Sequence, residues 1–416
     1  MRCKSTICLV LLILILSIPQ AYSQWEFLGL PGMSVLAVAT HPQHPEWIAA
    51  GTNYYGLYVS FNNGGDWNYK IATNVPLPFV AYDPHTTDSL FAVVGASYSA
   101  GLYGSNNYGD SWHLINYLLY PRRLAFDPAN PGYLYICFET GIKASQDYGL
   151  NFYDANNGLP GLNIIDIKGD AVNQFEAYAA GEAFVAHTTN FGVNWTDLGG
   201  LFGLEDYNPN RLEIDPRNPN TIFVACWAYL ARSTDRGQNW EYFTAPAVNL
   251  TDVVCDPLVE GQLFVGTGYN GVYKSTDYGV TFTPLDDIGN MSICCLEIDS
   301  QGRLLAGTED GLYGHDISIR VDDCTGNLPD KNVLITNYPN PFNASTTIAY
   351  TISDPQAVSL KIYDITGRET GILVDKFQTA GTYRVIFDGS SLVSGIYFYR
   401  LQAGDLAETG KMVLLK

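Results

Sequence analysis

Four residues of this 416-residue chain combine alternating charge with a regular interval: Arg123, Asp166, Arg211 and Asp252. Each stands four positions before an Asp-Pro-like turn, so a repeating fold would bring them to one level. Facing a shared cavity, two guanidinium and two carboxylate groups would form a polar ring for a peptide or small anion. Facing one another, they would form a salt-bridged plug that stabilises the scaffold. A second set is aromatic: Tyr54, Tyr55, Tyr98, Trp227, Tyr229 and Tyr269, interspersed with Glu139, Glu182, Asn270, Glu309 and Asp310. Flat apolar rings beside hydrogen-bond acceptors suit sugars or peptides, and they are equally what a tyrosine-rich chain places at strand ends. Hydrolysis of a glycosidic bond needs two carboxylates flanking it. The acids not claimed by turns are Glu139, Glu182, Glu205, Asp206 and Asp252, and sequence does not pair them. The histidines are scattered and no Cys/His spacing fits zinc, so no catalytic residue, cofactor or metal is assigned.

The elements that must position these residues come from an internal repeat. A turn of the form Ser/Thr-x-Asp/Asn-x-Gly-x-x-aromatic occurs six times at intervals of 40 to 45 residues. The first three copies are Ser60, Asn62, Gly64, Trp67; Ser105, Asn107, Gly109, Trp112; and Ser145, Asp147, Gly149, Phe152. The next three are Thr188, Asn190, Gly192, Trp195; Ser233, Asp235, Gly237, Trp240; and Ser275, Asp277, Gly279, Phe282. A second turn precedes each box by about eighteen residues, at His41-Pro42, Asp83-Pro84, Asp127-Pro128, Asp170, Asp215-Pro216, Asp256-Pro257 and Asp299. Seven such turns against six boxes predict seven four-stranded units, the usual length of a propeller blade. Trp25-Glu26-Phe27 matches Trp240-Glu241-Tyr242, the strand after a box. The mature N-terminus is therefore expected to supply the outer strand of the last unit, with Ile317 to Val321 as the other candidate.

The box resembles the Asp-box of sialidase-type and sortilin-type propellers, which implies an all-β, seven-bladed β-propeller and a structural role for the box residues. The arginines, Arg122, Arg123, Arg211, Arg217, Arg232, Arg236, Arg303 and Arg320, are too few on one face for a sialidase, and Tyr120-Pro-Arg-Arg123 is not that family's signature. Xyloglucan-cleaving Asp-box glycosidases place their acids between two propellers, whereas one is expected here. Single propellers of this type are similar to photosystem II assembly factors, which act by binding.

Beyond Cys324 the period stops. Tyr338-Pro-Asn-Pro-Phe-Asn343, Val358 to Asp364, Ser394 to Leu401 and the terminal Lys411 to Lys416 read as strands of a small immunoglobulin-like β-sandwich. As an ordered set they resemble the type A sorting domain of type IX secretion substrates, which implies handling by that machinery through residues 332–416. The expected organisation is a signal peptide at 1–23, a propeller at 24–321, a linker at 322–331 and the sorting domain at 332–416. Arg2 and Lys4 followed by the apolar run Cys8 to Ile18 and Ala21-Tyr22-Ser23 carry the first of these; no transmembrane helix is expected after cleavage.

Composition agrees with an exported all-β protein. Tyrosine (29) and glycine (40) are abundant and charged residues make up only 15%. A formal net charge of −20 excludes a nucleic-acid footprint and electrostatic docking on anionic lipid. Cys137, Cys226, Cys255, Cys294, Cys295 and Cys324 follow the signal region; an oxidising destination permits disulfides, though Cys137 and Cys226 read as core residues. The expected product is a monomeric, secreted or surface-held binding protein for polysaccharide or peptide. The other reading is an Asp-box glycoside hydrolase. Ligand contacts are expected at Tyr54, Tyr55, Tyr98, Arg123, Asp166, Glu182, Arg211, Trp227, Asp252 and Tyr269.

Overall fold

The computed structural model describes residues 25–317 and 335–415, apart from 87, 96–99, 171, 200–208, 286–287, 290, 339, 353–354, 380 and 405. Tyr98, Glu205, Asp206, Arg320, Cys324, residues 318–321, the signal peptide expected at 1–23 and the linker expected at 322–331 lie outside the described residues. Seven four-stranded antiparallel sheets stand as the blades of a β-propeller. Six are consecutive in sequence, at 35–71, 79–117, 121–154, 164–197, 209–244 and 250–284. Blade 7 takes three strands from 293–316 and its fourth, Glu26–Gly29, from the start of the chain. The innermost strands touch in an unbroken cycle, blade 7 returning to blade 1.

Each blade buries both faces against its neighbours, and this is why the second strands read as continuous apolar runs rather than alternating ones. Leu90–Val94, Leu134–Phe138 and Ile222–Cys226 are buried at every position. The core is accordingly divided into seven apolar clusters, one per blade interface.

Closure is by antiparallel pairing, with Glu26 opposite Gly314, Phe27 opposite Tyr313 and Gly29 opposite Leu312. It covers the sheet edge that blade 7 would otherwise expose. Of the two expected candidates for this position, the N-terminal strand occupies it; Ile317 instead packs beneath Trp25 in the same interface cluster.

The repeated box has one geometry in all six copies. The Ser/Thr hydroxyl accepts the glycine N–H at 2.7 to 3.0 Å. It donates to the Asp/Asn Oδ1 at 2.8 to 3.0 Å. That oxygen in turn accepts the N–H four residues on at 2.8 to 2.9 Å. The glycine is required: at Gly64 (φ 84°) a Cβ would sit 2.2 Å from the carbonyl oxygen of Leu28. Two of the tryptophans reach the preceding blade's territory, Trp67 Nε1 donating to Leu28 O and Trp195 Nε1 to Ala155 O, both at 2.9 Å.

The C-terminal region forms two facing sheets. One contains Ile335–Tyr338, Ser345–Ile352 and Gly381–Asp388; the other contains Gln356–Asp364, Glu369–Gln378, Gly395–Ala403 and Leu406–Leu414. Ile348, Tyr350, Leu360, Ile362, Tyr399, Leu401 and Met412 fill the space between. This β-sandwich touches the propeller at a blade 7 turn, where Arg384 Nη1 donates to Gln301 O (2.7 Å) and Thr347 Oγ1 to Ser300 O (3.1 Å).

The closing strand supplies Leu28, 3% exposed, to the interface between blades 7 and 1. Leu28→Ala is expected to lower unfolding stability by about 2–5 kcal/mol, measured by chemical denaturation of the purified protein.

Candidate functional site

The two ends of the propeller differ in what they carry. On one face each box loop is tied to the first turn of its own blade, for example Asn63 N to Glu46 O (2.7 Å) and Tyr108 N to Asp88 O (2.8 Å). On the other, the loop between second and third strands is tied to the loop entering the same blade. Asn53 N bonds Ser34 O (2.8 Å) and Gly95 N bonds Pro76 O (2.9 Å) there. The second face is called the upper face below.

Turn chemistry consumes the polar groups of the box face. The carboxylates of Asp147 and Asp235 are held below the usual aspartate range, chiefly by hydrogen bonds from Asn151 and Asn239 respectively. Asp277 is held low as well, by bonds from Thr281 and Ser275 that outweigh its desolvation. Such groups are ionised acceptors already in use, unsuited to act as general acids.

The upper face presents exposed rings. Tyr54, Tyr55, Trp227 and Tyr269 are between 42% and 68% exposed. Glu182 and Asn270 are exposed beside them, Glu182 accepting a hydrogen bond from Asn163 Nδ2 (3.3 Å). Glu139 is fixed by Arg122 at 2.7 Å, and the same guanidinium donates to Asn163 Oδ1 and Ile164 O. Sequence reasoning missed a cleft of about 280 Å³ between blades 2 and 3, walled by Pro76, Pro78, Tyr120, Pro121 and Glu139. Tyr120, 62% exposed and held at φ 56°, is its rim. The Tyr-Pro dipeptide after an exposed leucine was the available signal, visible once this loop is known to face upward.

The charged quartet does come together along the central channel, which encloses about 590 Å³. A register shift in the inner strands of blades 3 to 6 sets Arg123, Asp166, Arg211 and Asp252 at equivalent positions. Their bonds are internal. Asp166 accepts Ile167 N–H and, from the next blade, Leu212 N–H, each at 2.9 Å. Asp252 repeats this with Val253 and Leu296, again at 2.9 Å. Arg211 Nε lies 3.5 Å from Asp252, and Arg123 donates to Pro78 O. The aspartates are thus inter-blade staples, 2% and 6% exposed, and both oxygens of each are occupied by backbone donors. Of the ten residues expected to touch ligand, these two are placed to hold the ring together instead.

Below this level Lys168 pairs with Glu213 at 2.7 Å, and Glu297 projects into the same cavity. Burial pushes the Glu297 carboxyl up to about 8 and that of Asp252 up to about 6. The five described cysteines are all free of disulfide bonds. Cys137 and Cys226 sit in the core as expected, burial raising both to about 12.

Fold and site together define an exported β-propeller with an aromatic upper face and a C-terminal β-sandwich. Residues 336–415 match the secretion system C-terminal sorting domain, so the chain is delivered by the type IX system to the cell surface or extracellular space. A xyloglucanase from Acetivibrio thermocellus is 30% identical over 119 residues, which is 23% of this chain and 14% of that protein. The chain thus spans only a small part of the curated relatives it matches. Among solved structures, YCF48 from Cyanidioschyzon merolae superposes with a TM-score of 0.55 at 13% identity, over 70% of this chain and 98% of that one. An ancestral GH74 enzyme superposes with a TM-score of 0.56 at 16% identity, over 94% and 64%. These structures share the propeller fold.

Two outcomes follow from the channel. Asp166→Ala strands two buried N–H groups and is expected to cost about 2–4 kcal/mol in denaturant unfolding. Carboxyls raised on folding stabilise below their unfolded values and lose that contribution as pH rises through the folded ones. The melting temperature is therefore expected to fall from about pH 5 to about pH 9, and Glu297→Gln to flatten the fall at its alkaline end.

Proposed function

We propose that this seven-bladed Asp-box propeller is a non-catalytic carbohydrate-binding protein of the cell exterior, taking a polysaccharide across its upper face. The observation that carries the reading is the set of exposed rings, Tyr54, Tyr55, Tyr120, Trp227 and Tyr269, gathered on one face of a rigid ring. Sugar rings present flat C–H faces to aromatic side chains, and equatorial hydroxyls bond to carboxylates and amides such as Glu182 and Asn270. A preorganised scaffold loses little entropy on binding, so a few such contacts suffice. Arg123 and Arg211 belong to the channel below and shape its mouth.

The resemblance of part of the chain to xyloglucanases favours a second reading, glycoside hydrolysis. Against it stand the engagements of three of the four described upper-face acids: Glu139 pairs with Arg122, Glu182 accepts from Asn163 and Asp310 accepts the Gly32 N–H, with Glu309 the fourth. A general acid needs a raised pKa and a free path to the leaving oxygen.

The deciding experiment is a polysaccharide pull-down that includes xyloglucan, followed by a reducing-end assay on every polysaccharide retained. Retention without new reducing ends is expected. Trp227→Ala combined with Tyr269→Ala is expected to weaken it at least about tenfold, a loss of about 1.4 kcal/mol. Shortened sugars would establish the hydrolase, and retention of peptides alone would replace carbohydrate with a protein partner.

A further inference from the structure

The lower half of the central channel is built asymmetrically. At the position two residues below the Arg/Asp level, successive blades contribute Ala39, Ala81 and Ala125 on one side, then Lys168, Glu213, Val254 and Glu297. The alanines leave room, while the opposite wall carries charge. Lys168 and Glu213 satisfy one another at 2.7 Å. Asp252 is satisfied by two backbone N–H groups and Arg211. Glu297 alone of the channel acids has no hydrogen bond or ion pair among the described residues. An alanine-lined recess beside a carboxyl that has no hydrogen bond or ion pair of its own, its nearest cation Lys168 being paired with Glu213, is complementary to a cation with a short hydrocarbon stem.

We propose that this recess binds a protonated primary alkylamine, its ammonium on Glu297 and its chain against the alanine wall. The amine is a free small molecule or the side chain of a lysine in a peptide; the chemistry is the same. The site is separate from the aromatic upper face and does not depend on what that face binds. The groups around Glu297 are Lys168, Glu213, Asp252 and Asp299, and Arg211 stands a level above. Without a ligand, burial raises the Glu297 carboxyl to about 8, so it is mostly protonated at neutral pH. An arriving ammonium favours the ionised form, so binding releases a proton near neutrality and strengthens as pH rises toward that value.

The test is isothermal titration of the purified protein with n-butylamine and, separately, with the tripeptide Gly-Lys-Gly. Saturable binding of either is expected, with a heat that differs between two buffers of unlike ionisation enthalpy at neutral pH. Glu297→Gln is expected to weaken it at least about tenfold and to abolish the buffer difference. Ala81→Leu fills the recess from the other side and keeps the result readable if the first variant folds poorly. Binding of n-butylamine alone assigns a small amine, and binding of the peptide assigns a lysine side chain. Failure of both to bind, or binding unchanged in both variants, would overturn the site.

Discussion

Everything in the propeller depends on the pairing of Glu26–Gly29 with the outer side of Gly311–Asp316. Among the described residues blade 7 takes its fourth strand only from this segment, so without the pairing its edge is open. The same strand places Leu28 in the cluster between blades 7 and 1 and offers its carbonyl to Trp67 of blade 1. One short segment therefore completes a sheet, fills a core and ties two blades together. A ring differs from a stack of sheets in this respect: every interface is satisfied only when the last one is.

The remaining polar design follows from closure. Inner strands crowd around the channel, and N–H groups freed by the register shifts at their starts need acceptors. Asp166 and Asp252 supply them across blade boundaries, and Arg211 and Lys168 balance part of the resulting charge. The box and the first turn of each blade consume hydroxyls, amides and carboxylates on the lower face in the same way. What is left uncommitted lies on the upper face and at Glu297, and function is sought where the scaffold has no claim.

Much of this was legible in the sequence because the box, the glycine and the aromatic recur with a fixed interval. Each copy reports the same local hydrogen-bond geometry, so the sheet count could be read from seven turns against six boxes and the closing strand from Trp25-Glu26-Phe27. The tail was legible from its ordered motifs at the chain end. The role of the charged quartet was only half legible. Spacing placed Arg123, Asp166, Arg211 and Asp252 at one level, but it could not reveal that the aspartates turn toward the neighbouring backbone. That orientation depends on the register shifts at the start of the inner strands, which leave no mark in composition. Glu297 was missed because an acid one blade beyond the quartet, at the next level down, looks like any strand residue. The cleft at Tyr120 was missed for a similar reason, its walls being prolines from two separate loops.

The central claim is that the upper face, and no other surface, takes the polysaccharide. Hydrogen exchange of the purified protein, with and without a retained polysaccharide fragment, tests it most directly. Slowed exchange confined to the loops around Tyr54, Tyr120, Trp227 and Tyr269 is the predicted result. Protection of the box turns instead, or of the C-terminal β-sandwich alone, would contradict it.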